Sequence, residues 1–249
     1  MDLVIVKLGG SVLTKKEGYK EENRASIARL AKGIADVYSK CKLVLVHGAG
    51  SFGHAPVVKH GINEGVRTNA QKVGFADTHL AVSQLSNMIV EELIKNGVPA
   101  ISMPPAVICR QDNKTIKEFG IGQIKAFLDA GYLPVVYGDM VLDDSMGGSV
   151  VSGDRLMAAL AKGLGAKRMV SISDVEGVYV DGKIFPVITK DNIDGIRSHL
   201  GLSGKTDVTG GMYGKIREIM GSGVPAVVTN EKNMKDAILG REAGTSIKP

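Results

Sequence analysis

Short apolar runs recur along this chain, and segments with a helical spacing of apolar residues lie between them. Five runs, many of whose residues are β-branched, are found at residues 3–6, 43–46, 133–137, 169–173 and 226–229. Runs without polar alternation are typical of strands that are covered on both faces, and helices between them provide the crossovers of a parallel sheet. The pattern therefore predicts an α/β fold with a mostly parallel central sheet between helices.

The rest of the chain shows little sign of a second domain. No repeat, low-complexity tract or linker rich in proline, glycine and serine interrupts the 249 residues, so one domain spanning residues 1–249 is predicted. The strand pattern loosens after Gly138, where short strands and a turn at residues 143–148 predict a hairpin or a lid. A softer boundary falls near residues 154–167, where a helix of small residues precedes the next strand.

Composition narrows the class of protein. With 44% hydrophobic and 23% charged residues the chain is typical of soluble globular proteins. No apolar run approaches the ~20 residues needed to cross a bilayer, and the amino terminus lacks the layout of a signal peptide, so a cytoplasmic protein with no membrane partner is expected. Cys41 and Cys109 lack metal-ligand or disulfide spacing and are expected to be core thiols. The net charge of +5 is dispersed and only 4% of residues are aromatic, which favours small anionic ligands and predicts no nucleic-acid partner.

A glycine-rich loop follows the second apolar run. Residues 47–54 read HGAGSFGH, so three glycines lie between His47 and His54. Glycines tolerate positive φ and let backbone N–H groups approach an anion, and a histidine at the end of the loop can donate to a phosphate oxygen. The loop therefore predicts a phosphorylated substrate, with His54 as the stronger candidate ligand. For either histidine, and for His47 in particular, the alternative is a side chain that only packs the loop.

A second glycine turn follows the first apolar run. Gly9, Gly10 and Ser11 come after this run, and Lys7 at its end would direct a positive charge towards the same anion. A turn of this kind near a lysine often has no function, so the motif alone is weak evidence. Because the carboxyl ends of parallel strands share one edge of a sheet, the two glycine turns are expected to face each other.

Further polar and glycine-rich segments follow other strands or precede helices. They are residues 137–139 (YGD), 152–154 (SGD), 173–179 (SDVEGVY) and 207–215 (DVTGGMYGK). Asp154, at a predicted helix start, has the plain alternative of a helix N-cap. The last segment has the alternative of a flexible loop, although Lys215 at its end would be placed to meet a polyphosphate.

Common motifs of other enzymes do not fit the chain. The GxxxxGK[ST] of P-loop proteins and the GxSxG nucleophile elbow do not occur. Phosphoryl transfer supported by lysines and backbone donors is the chemistry that remains.

Taken in order, the segments resemble the motifs of the amino acid kinase family. That family has KxGGS, a glycine-rich second loop, SGD, DVxGVY, TGGMxxK and a terminal GTxI, which stand here at residues 7–11, 47–54, 152–154, 174–179, 209–215 and 244–247. The resemblance covers nearly the whole chain. It implies a three-layer αβα sandwich with a mostly parallel central sheet. It also implies an acceptor-binding N-terminal lobe of about residues 1–165 and a nucleotide-binding C-terminal lobe of about residues 166–249.

Within the family, the loop HGAGSFGH resembles that of the isopentenyl phosphate kinases of archaea and some eukaryotes. This resemblance implies phosphorylation of isopentenyl phosphate to isopentenyl diphosphate by ATP with Mg²⁺, in an alternative mevalonate route of isoprenoid biosynthesis. It places the substrate phosphate on His54, in a pocket lined by Ala49, Gly50, Gly53, Gly138 and Gly153. The helix at residues 75–89 could hold the apolar tail, with Gly74 and Ala76 setting the tail length, although a buried core helix has the same pattern.

The same resemblance assigns the nucleotide site and the catalytic residues. The ATP phosphates would be held by Lys7, Gly9, Gly10, Ser11, Gly50 and Lys215, and the residues near the nucleotide would be Asp174, Tyr179 and Gly211. Lys16 matches a family lysine that stabilises the transferring group, with Lys15 as the alternative register, and Asp154 would orient the lysines. The expected catalytic residues are thus Lys7, Lys16, His54, Asp154 and Lys215. No residue is assigned to a metal ion.

Other acceptors and other classes of function stay open from the sequence. A kinase of the same fold could act on a phosphonate such as fosfomycin, a nucleoside monophosphate, an amino acid or carbamate. A non-catalytic nucleotide or metabolite sensor is less favoured, because Lys7, Lys16 and Lys215 are all present. The family resemblance also implies a homodimer.

Overall fold

The computed structural model describes residues 1–15, 18–200 and 211–249. Within these residues the strands are β1 (Leu3–Leu8), β2 (Lys42–His47), β3 (Ala100–Ser102), β4 (Cys109–Asp112), β5 (Thr115–Phe119), β6 (Leu133–Tyr137), β7 (Asp139–Asp143), β8 (Ser149–Val151), β9 (Arg168–Ser173), β10 (Tyr179–Val180), β11 (Lys183–Ile184), β12 (Val187–Thr189), β13 (Ala226–Asn230) and β14 (Thr245–Lys248). The helices are α1 (Gly10–Leu13), α2 (Arg24–Tyr38), α3 (His54–Lys59), α4 (Asn69–Lys95), α5 (Pro105–Ile108), α6 (Ile121–Asp129), α7 (Gly153–Leu164), α8 (Ile193–Leu200), α9 (Gly211–Ser222) and α10 (Met234–Leu239), with a 3₁₀ turn at Gly50–Phe52.

Eight of the described strands form the central sheet, in the order β12-β14-β13-β9-β1-β2-β6-β3. The five strands from β13 to β6 are parallel, and they correspond to the five apolar runs of the sequence. At one edge β3 adds a further parallel strand, and at the other β14 runs antiparallel to β13 and pairs with β12. The mostly parallel sheet is therefore confirmed, with three short edge strands that the apolar runs did not reveal.

Helices cover both faces of this sheet. Successive side chains of β1 point to opposite faces of the sheet, as they do in any strand. Val4 and Val6 belong to a core shared with α2, α4 and α10, whereas Ile5 belongs to a core shared with α6, α7 and α9. The predicted three-layer αβα sandwich is thus confirmed. In the described part of the chain, none of the helices is both long and apolar enough to cross a membrane.

After β6 the chain leaves the central sheet and enters a smaller one. β7 and β8 pair as an antiparallel hairpin, and with β4 and β5 they form a four-stranded sheet. The buried Asp143 carboxylate accepts hydrogen bonds from the backbone N–H groups of Asn113, Lys114 and Met146, which fixes the turns of this sheet. The hairpin predicted at residues 143–148 is therefore confirmed.

Both cysteines are buried free thiols, as their spacing predicts. Cys41 packs beneath α2 and Cys109 lies in the core on the opposite face of the sheet. Burial raises the pKa of the Cys109 thiol to about 12, so this thiol stays protonated at neutral pH and packs as a small apolar group.

Candidate functional site

The two glycine turns meet at the carboxyl edge of the central sheet. Leu8 of β1 and His47 of β2 are paired in parallel register, so the turns that follow them lie side by side. A Cβ added to Gly10 would lie 2.5 Å from the backbone nitrogen of Gly50, which leaves no space for a side chain. Gly50 itself has a φ of +52°, a conformation that favours glycine. The glycines thus let two backbones approach closely, where N–H groups of both turns can face one anion.

Two lysines from distant parts of the chain share one carboxylate. The Nζ atoms of Lys7 and Lys215 lie 2.7 Å and 3.0 Å from Asp154 Oδ1. Lys215 also donates a hydrogen bond to Ser171 Oγ at 3.3 Å. Because Lys7 belongs to β1, Asp154 to α7 and Lys215 to α9, three elements converge here. The structure therefore brings together three of the five residues that the sequence analysis expected to be catalytic.

This lysine cluster, Lys7, Lys215 and Asp154, has two ammonium groups for one carboxylate. Burial lowers the pKa of Lys7 to about 8, against the opposing attraction of Asp154. Burial alone would raise the pKa of Asp154, but the two ammonium groups outweigh it and hold that pKa well below its usual range. The carboxylate is therefore ionised at neutral pH, and the cluster as a whole attracts anions.

Gly138 and Gly153, both expected in the acceptor pocket, contact the same strand ends. The Gly138 N–H donates to the His47 carbonyl oxygen at 2.9 Å. A Cβ added to Gly153 would lie 3.1 Å from that oxygen and also 3.1 Å from Lys7 Cε. The start of α7 is thus packed directly against Lys7, and a side chain at position 153 would press on the lysine.

Asp154 is not the cap of α7. The N-cap residue is Ser152, whose Oγ accepts a hydrogen bond from the Arg155 N–H at 3.2 Å. The Asp154 carboxylate points instead to the two lysines and is only 17% exposed. This geometry excludes the plain capping interpretation that the sequence left open.

His47 packs the loop from inside. Its side chain is completely buried and stacks on the ring of Tyr137, with the ring centroids 5.0 Å apart. The Nδ1–H donates to the Gly48 carbonyl at 3.0 Å, and burial lowers the pKa of His47 to about 4. A histidine with that pKa is neutral at pH 7, which suits stacking in the core better than holding a phosphate.

His54 lies in a different environment from His47. It is the first residue of α3, it directly follows Gly53, and its side chain is exposed. Gly53 is packed against the Ala49 side chain, where no Cβ would fit, and its N–H donates to the Gly50 carbonyl at 3.2 Å. The loop therefore holds Ala49, Gly50 and Gly53 together and leaves the His54 imidazole accessible to a ligand.

Three residues assigned to the nucleotide site take part in hydrogen bonds between the ends of β1 and β9. The Gly9 N–H donates to the Ile172 carbonyl at 2.8 Å. The Ser11 hydroxyl donates to Asp174 Oδ1 at 3.0 Å. Gly9, Ser11 and Asp174 are thus brought together across two neighbouring strands, next to the strand end that carries Lys7.

Among the contacts of the described residues, none links Tyr179 to Gly9, Ser11 or Asp174. Tyr179 belongs to β10, which pairs with β11 in a short hairpin, and its side chain is 42% exposed. Gly211 begins α9 with a φ of +62°, so the helix that carries Lys215 starts at a position that favours glycine.

Lys16 and residues 207–210 lie outside the described residues. Lys15, the alternative register for Lys16, is described, and its Nζ pairs with Glu21 Oε1 at 2.5 Å on the surface. This pairing engages Lys15 away from the lysine cluster, so Lys16 remains the residue predicted to stabilise the transferring group.

Ser171 is a contact of the site that the sequence analysis missed. It lies in β9, directly opposite Lys7 of β1 in the parallel register, and it is fully buried. Its hydroxyl accepts the hydrogen bond from Lys215. The available signal was a hydroxyl in the middle of a mainly apolar run, since residues 169–173 read MVSIS.

Gly74 has a packing role that differs from the one expected. It is buried, and a Cβ there would overlap the side chain of His60, so Gly74 lets the end of α3 approach α4. Ala76 is exposed. Phe75, between these two residues in α4, packs on a small cluster made by Val57, Ile62, Val66 and Met140.

A metal ion at this site would be held mainly by the phosphates of the nucleotide. Among the described residues, no group of three or more histidine, cysteine or carboxylate side chains is arranged to hold one. Mg²⁺ in kinases is commonly held by substrate phosphates and one or two carboxylates. Asp174, which accepts a hydrogen bond from Ser11 at the first glycine turn, is a carboxylate whose chemistry fits such an ion.

Comparison with known proteins gives a consistent picture. The sequence model described as the amino acid kinase family matches residues 2–230. The chain is 35% identical to the isopentenyl phosphate kinase of Methanothermobacter thermautotrophicus and 36% identical to that of Methanocaldococcus jannaschii, in both cases over 98% of each chain. A crystal structure described as isopentenyl phosphate kinase superimposes with a TM-score of 0.84 at 33% identity, over 98% of this chain and all of the other.

Proposed function

Since this chain belongs to the amino acid kinase family, we propose that it is a kinase that uses ATP to phosphorylate isopentenyl phosphate to isopentenyl diphosphate. The convergence of Lys7 and Lys215 on Asp154 beside two glycine turns carries the proposal of phosphoryl transfer. Its acceptor is supported by the two relatives at 35% and 36% identity, both isopentenyl phosphate kinases. In metabolism such a reaction belongs to isoprenoid biosynthesis.

The chemistry needs charge neutralisation and positioning more than a protein nucleophile. An oxygen of the acceptor phosphate forms the new bond to the γ-phosphorus of ATP, and the bond from that phosphorus to the bridging oxygen of ADP breaks. A phosphate oxygen is already anionic near neutral pH, so no general base is required. Lys7 and Lys215 stabilise the charge on the transferring group, and Asp154 keeps their two ammonium groups close together against mutual repulsion.

The acceptor and ATP have different sets of residues in this proposal, and only Gly50 belongs to both. His54 donates a hydrogen bond to the acceptor phosphate, which lies among Ala49, Gly50, Gly53, Gly138 and Gly153. The ATP site consists of Lys7, Gly9, Gly10, Ser11, Gly50, Asp174, Tyr179, Gly211 and Lys215. Lys16 stabilises the transferring phosphoryl group. The acceptor set lies in an N-terminal lobe of about residues 1–165, and a C-terminal lobe of about residues 166–249 binds most of the nucleotide.

Mg²⁺ accompanies ATP in the proposed reaction and neutralises part of the phosphate charge when bound. Asp174, beside the first glycine turn, is a carboxylate that would hold it together with phosphate oxygens. The proposal also includes a homodimer, which the resemblance supports, and the cytoplasmic location expected from the sequence.

A panel of acceptors tests the proposed function. With ATP and Mg²⁺, we expect isopentenyl phosphate to give a kcat/KM of ~10⁴ M⁻¹s⁻¹ or higher in a coupled assay of ADP release. Dimethylallyl phosphate, fosfomycin, UMP and glutamate are compared in the same assay and should fall well below. A higher value for fosfomycin or UMP would keep the kinase and reject the acceptor, and no reaction with any of them would favour a sensor.

The alkaline side of the pH profile reports on Lys7. Its pKa of about 8 means that the free enzyme loses this positive charge as the pH rises through 8. We therefore expect kcat/KM for ATP to fall up to about tenfold for each further pH unit. In Lys7→Arg the guanidinium stays charged, so the fall should move above pH 10 even if the maximal rate is lower. An unchanged fall near pH 8 in that variant would assign it to another group.

A further inference from the structure

Three polar side chains that the mechanism does not use meet beside the proposed acceptor loop. Lys20 Nζ donates to Asp77 Oδ1 at 2.9 Å, and His60 Nε2 donates to Asp77 Oδ2 at 3.0 Å. The three residues come from separate segments: Lys20 precedes α2, His60 ends α3, and Asp77 lies in α4. All three side chains are between 21% and 33% exposed, so the carboxylate is shielded enough to act as a fixed point of attachment.

The contact with His60 fastens the far end of the helix that begins with His54. α3 has six residues, and His60 is its C-cap. At 1.5 Å per residue this helix is only about 9 Å long, so a shift at one end is carried to the other. Gly74 leaves the space on α4 against which the His60 side chain packs. Just beyond His60, Gln71 Nε2 donates a hydrogen bond to the Gly61 carbonyl at 3.1 Å.

The contact with Lys20 fastens the segment of residues 18–22. The Glu21 N–H donates to Ser51 Oγ at 3.2 Å, which joins this segment to the 3₁₀ turn of the acceptor loop. The ring of Tyr19 lies near the ammonium groups of both Lys20 and Lys59, each 5.5 Å from the ring centroid. Asp77 thus ties this segment to α4, while Tyr19 and Lys59 tie it to α3.

We propose that Asp77 is a positioning residue for the acceptor site, acting through α3 on His54. Its one carboxylate holds the end of α3 and the segment around Lys20 on α4, and so sets the position of the His54 imidazole relative to the acceptor phosphate. The inference rests on the proposed function, because it requires His54 to bind that phosphate. A small displacement of a binding group can cost much of its effect, so the contact matters for substrate binding beyond its effect on stability.

Steady-state kinetics of Asp77→Asn provide the test. The amide keeps the shape of the side chain and removes its charge. We expect KM for isopentenyl phosphate to rise about tenfold while KM for ATP stays within about twofold. The matched control is Asp36→Asn, which breaks a surface pair between Asp36 and Lys235, 3.2 Å apart, away from the loop. Its two KM values should both be unchanged.

A double-mutant cycle separates positioning from a merely structural effect. If Asp77 acts through His54, Asp77→Asn should add little to the acceptor KM once His54→Ala has removed the imidazole. An equal rise in KM in both backgrounds would overturn the proposal, as would an unchanged acceptor KM in Asp77→Asn. Asp77→Glu, which keeps the charge, should restore most of the binding.

Two further measurements keep the result interpretable. Thermal unfolding shows whether Asp77→Asn folds, and if it does not, His60→Ala breaks the same contact from the α3 side and should raise the same KM. An unchanged acceptor KM in folded His60→Ala would overturn the proposal. If the wild type uses another acceptor instead, the proposed function fails, and the same variants measured with that acceptor decide whether Asp77 positions His54.

Discussion

Replacing Asp154 by asparagine should lower kcat by about 10³-fold or more, since Asp154 holds two groups that neutralise charge in the transition state. In the structure one carboxylate oxygen contacts both Lys7 and Lys215. Without its charge the two ammonium groups repel each other, and the pKa of Lys7, already lowered to about 8 by burial, falls further. A neutral Lys7 at pH 7 no longer attracts the phosphates of ATP. Single-turnover kinetics with saturating ATP would measure the loss in the transfer step.

A loss of stability could imitate this loss of activity. Breaking a buried ion pair from one side commonly costs about 3–5 kcal/mol, and Asp154→Asn is expected to lower the free energy of unfolding towards that range. Asp143→Asn is the matched control, because Asp143 is a buried carboxylate whose partners, turn N–H groups and the Ser149 hydroxyl, all belong to the small sheet. It should destabilise the protein and leave kcat within a few-fold in the folded fraction. A kcat within threefold of the wild type in Asp154→Asn would refute the role given to this carboxylate.

The central strands could be predicted because burial on both faces leaves a strong mark on the sequence. The five apolar runs form most of β1, β2, β6, β9 and β13, which are the parallel middle of the sheet. β3, β12 and β14 have three or four residues each and lie towards the edges. Such short segments bury few side chains, so their composition differs little from that of a loop. Their place in the sheet depends on tertiary contacts.

The site also has some contacts that could be predicted from the sequence and others that could not. Parallel strands end at one edge, so the meeting of Gly10 and Gly50 could be expected from two neighbouring runs that both end in glycine. The meeting of Lys7 with Lys215 could not, because more than 200 residues separate them and no local pattern records which helix crosses which strand. Here the family resemblance provided the expectation. Ser171 and Asp77 lay within no recognised motif and emerged only when neighbouring elements were in place.

The burial of the two loop histidines is a property that the sequence alone does not decide. His47 and His54 bound the same loop, and the pattern HGAGSFGH gives no direct measure of their burial. The parallel register with Tyr137 turns His47 into the core, where its ring stacks. The turn at Gly53 brings His54 to the surface at the start of α3. The same residue type therefore packs at one end of the loop and is available to a ligand at the other.

Replacing His54 by alanine should reduce kcat/KM for isopentenyl phosphate about 30-fold or more. A hydrogen bond to a charged phosphate contributes about 2 kcal/mol, and a donor that also contacts the transition state affects kcat together with KM. His54→Gln keeps an N–H donor at the end of a side chain of similar reach, so it should lose less than His54→Ala. Initial rates over a range of acceptor concentrations, at saturating ATP, give kcat and KM for each variant.

The control for His54 lies on the same helix. Val58 is 70% exposed four residues further along α3, so Val58→Ala changes the helix surface without touching the loop and should leave kcat/KM within about twofold. Equal losses in His54→Ala and His54→Gln would count against hydrogen-bond donation, because the two variants differ in having a donor. A loss confined to KM for ATP would move His54 to the nucleotide. A loss confined to the acceptor would make the first residue of α3 the phosphate ligand that distinguishes the acceptor side of the site from the lysine cluster.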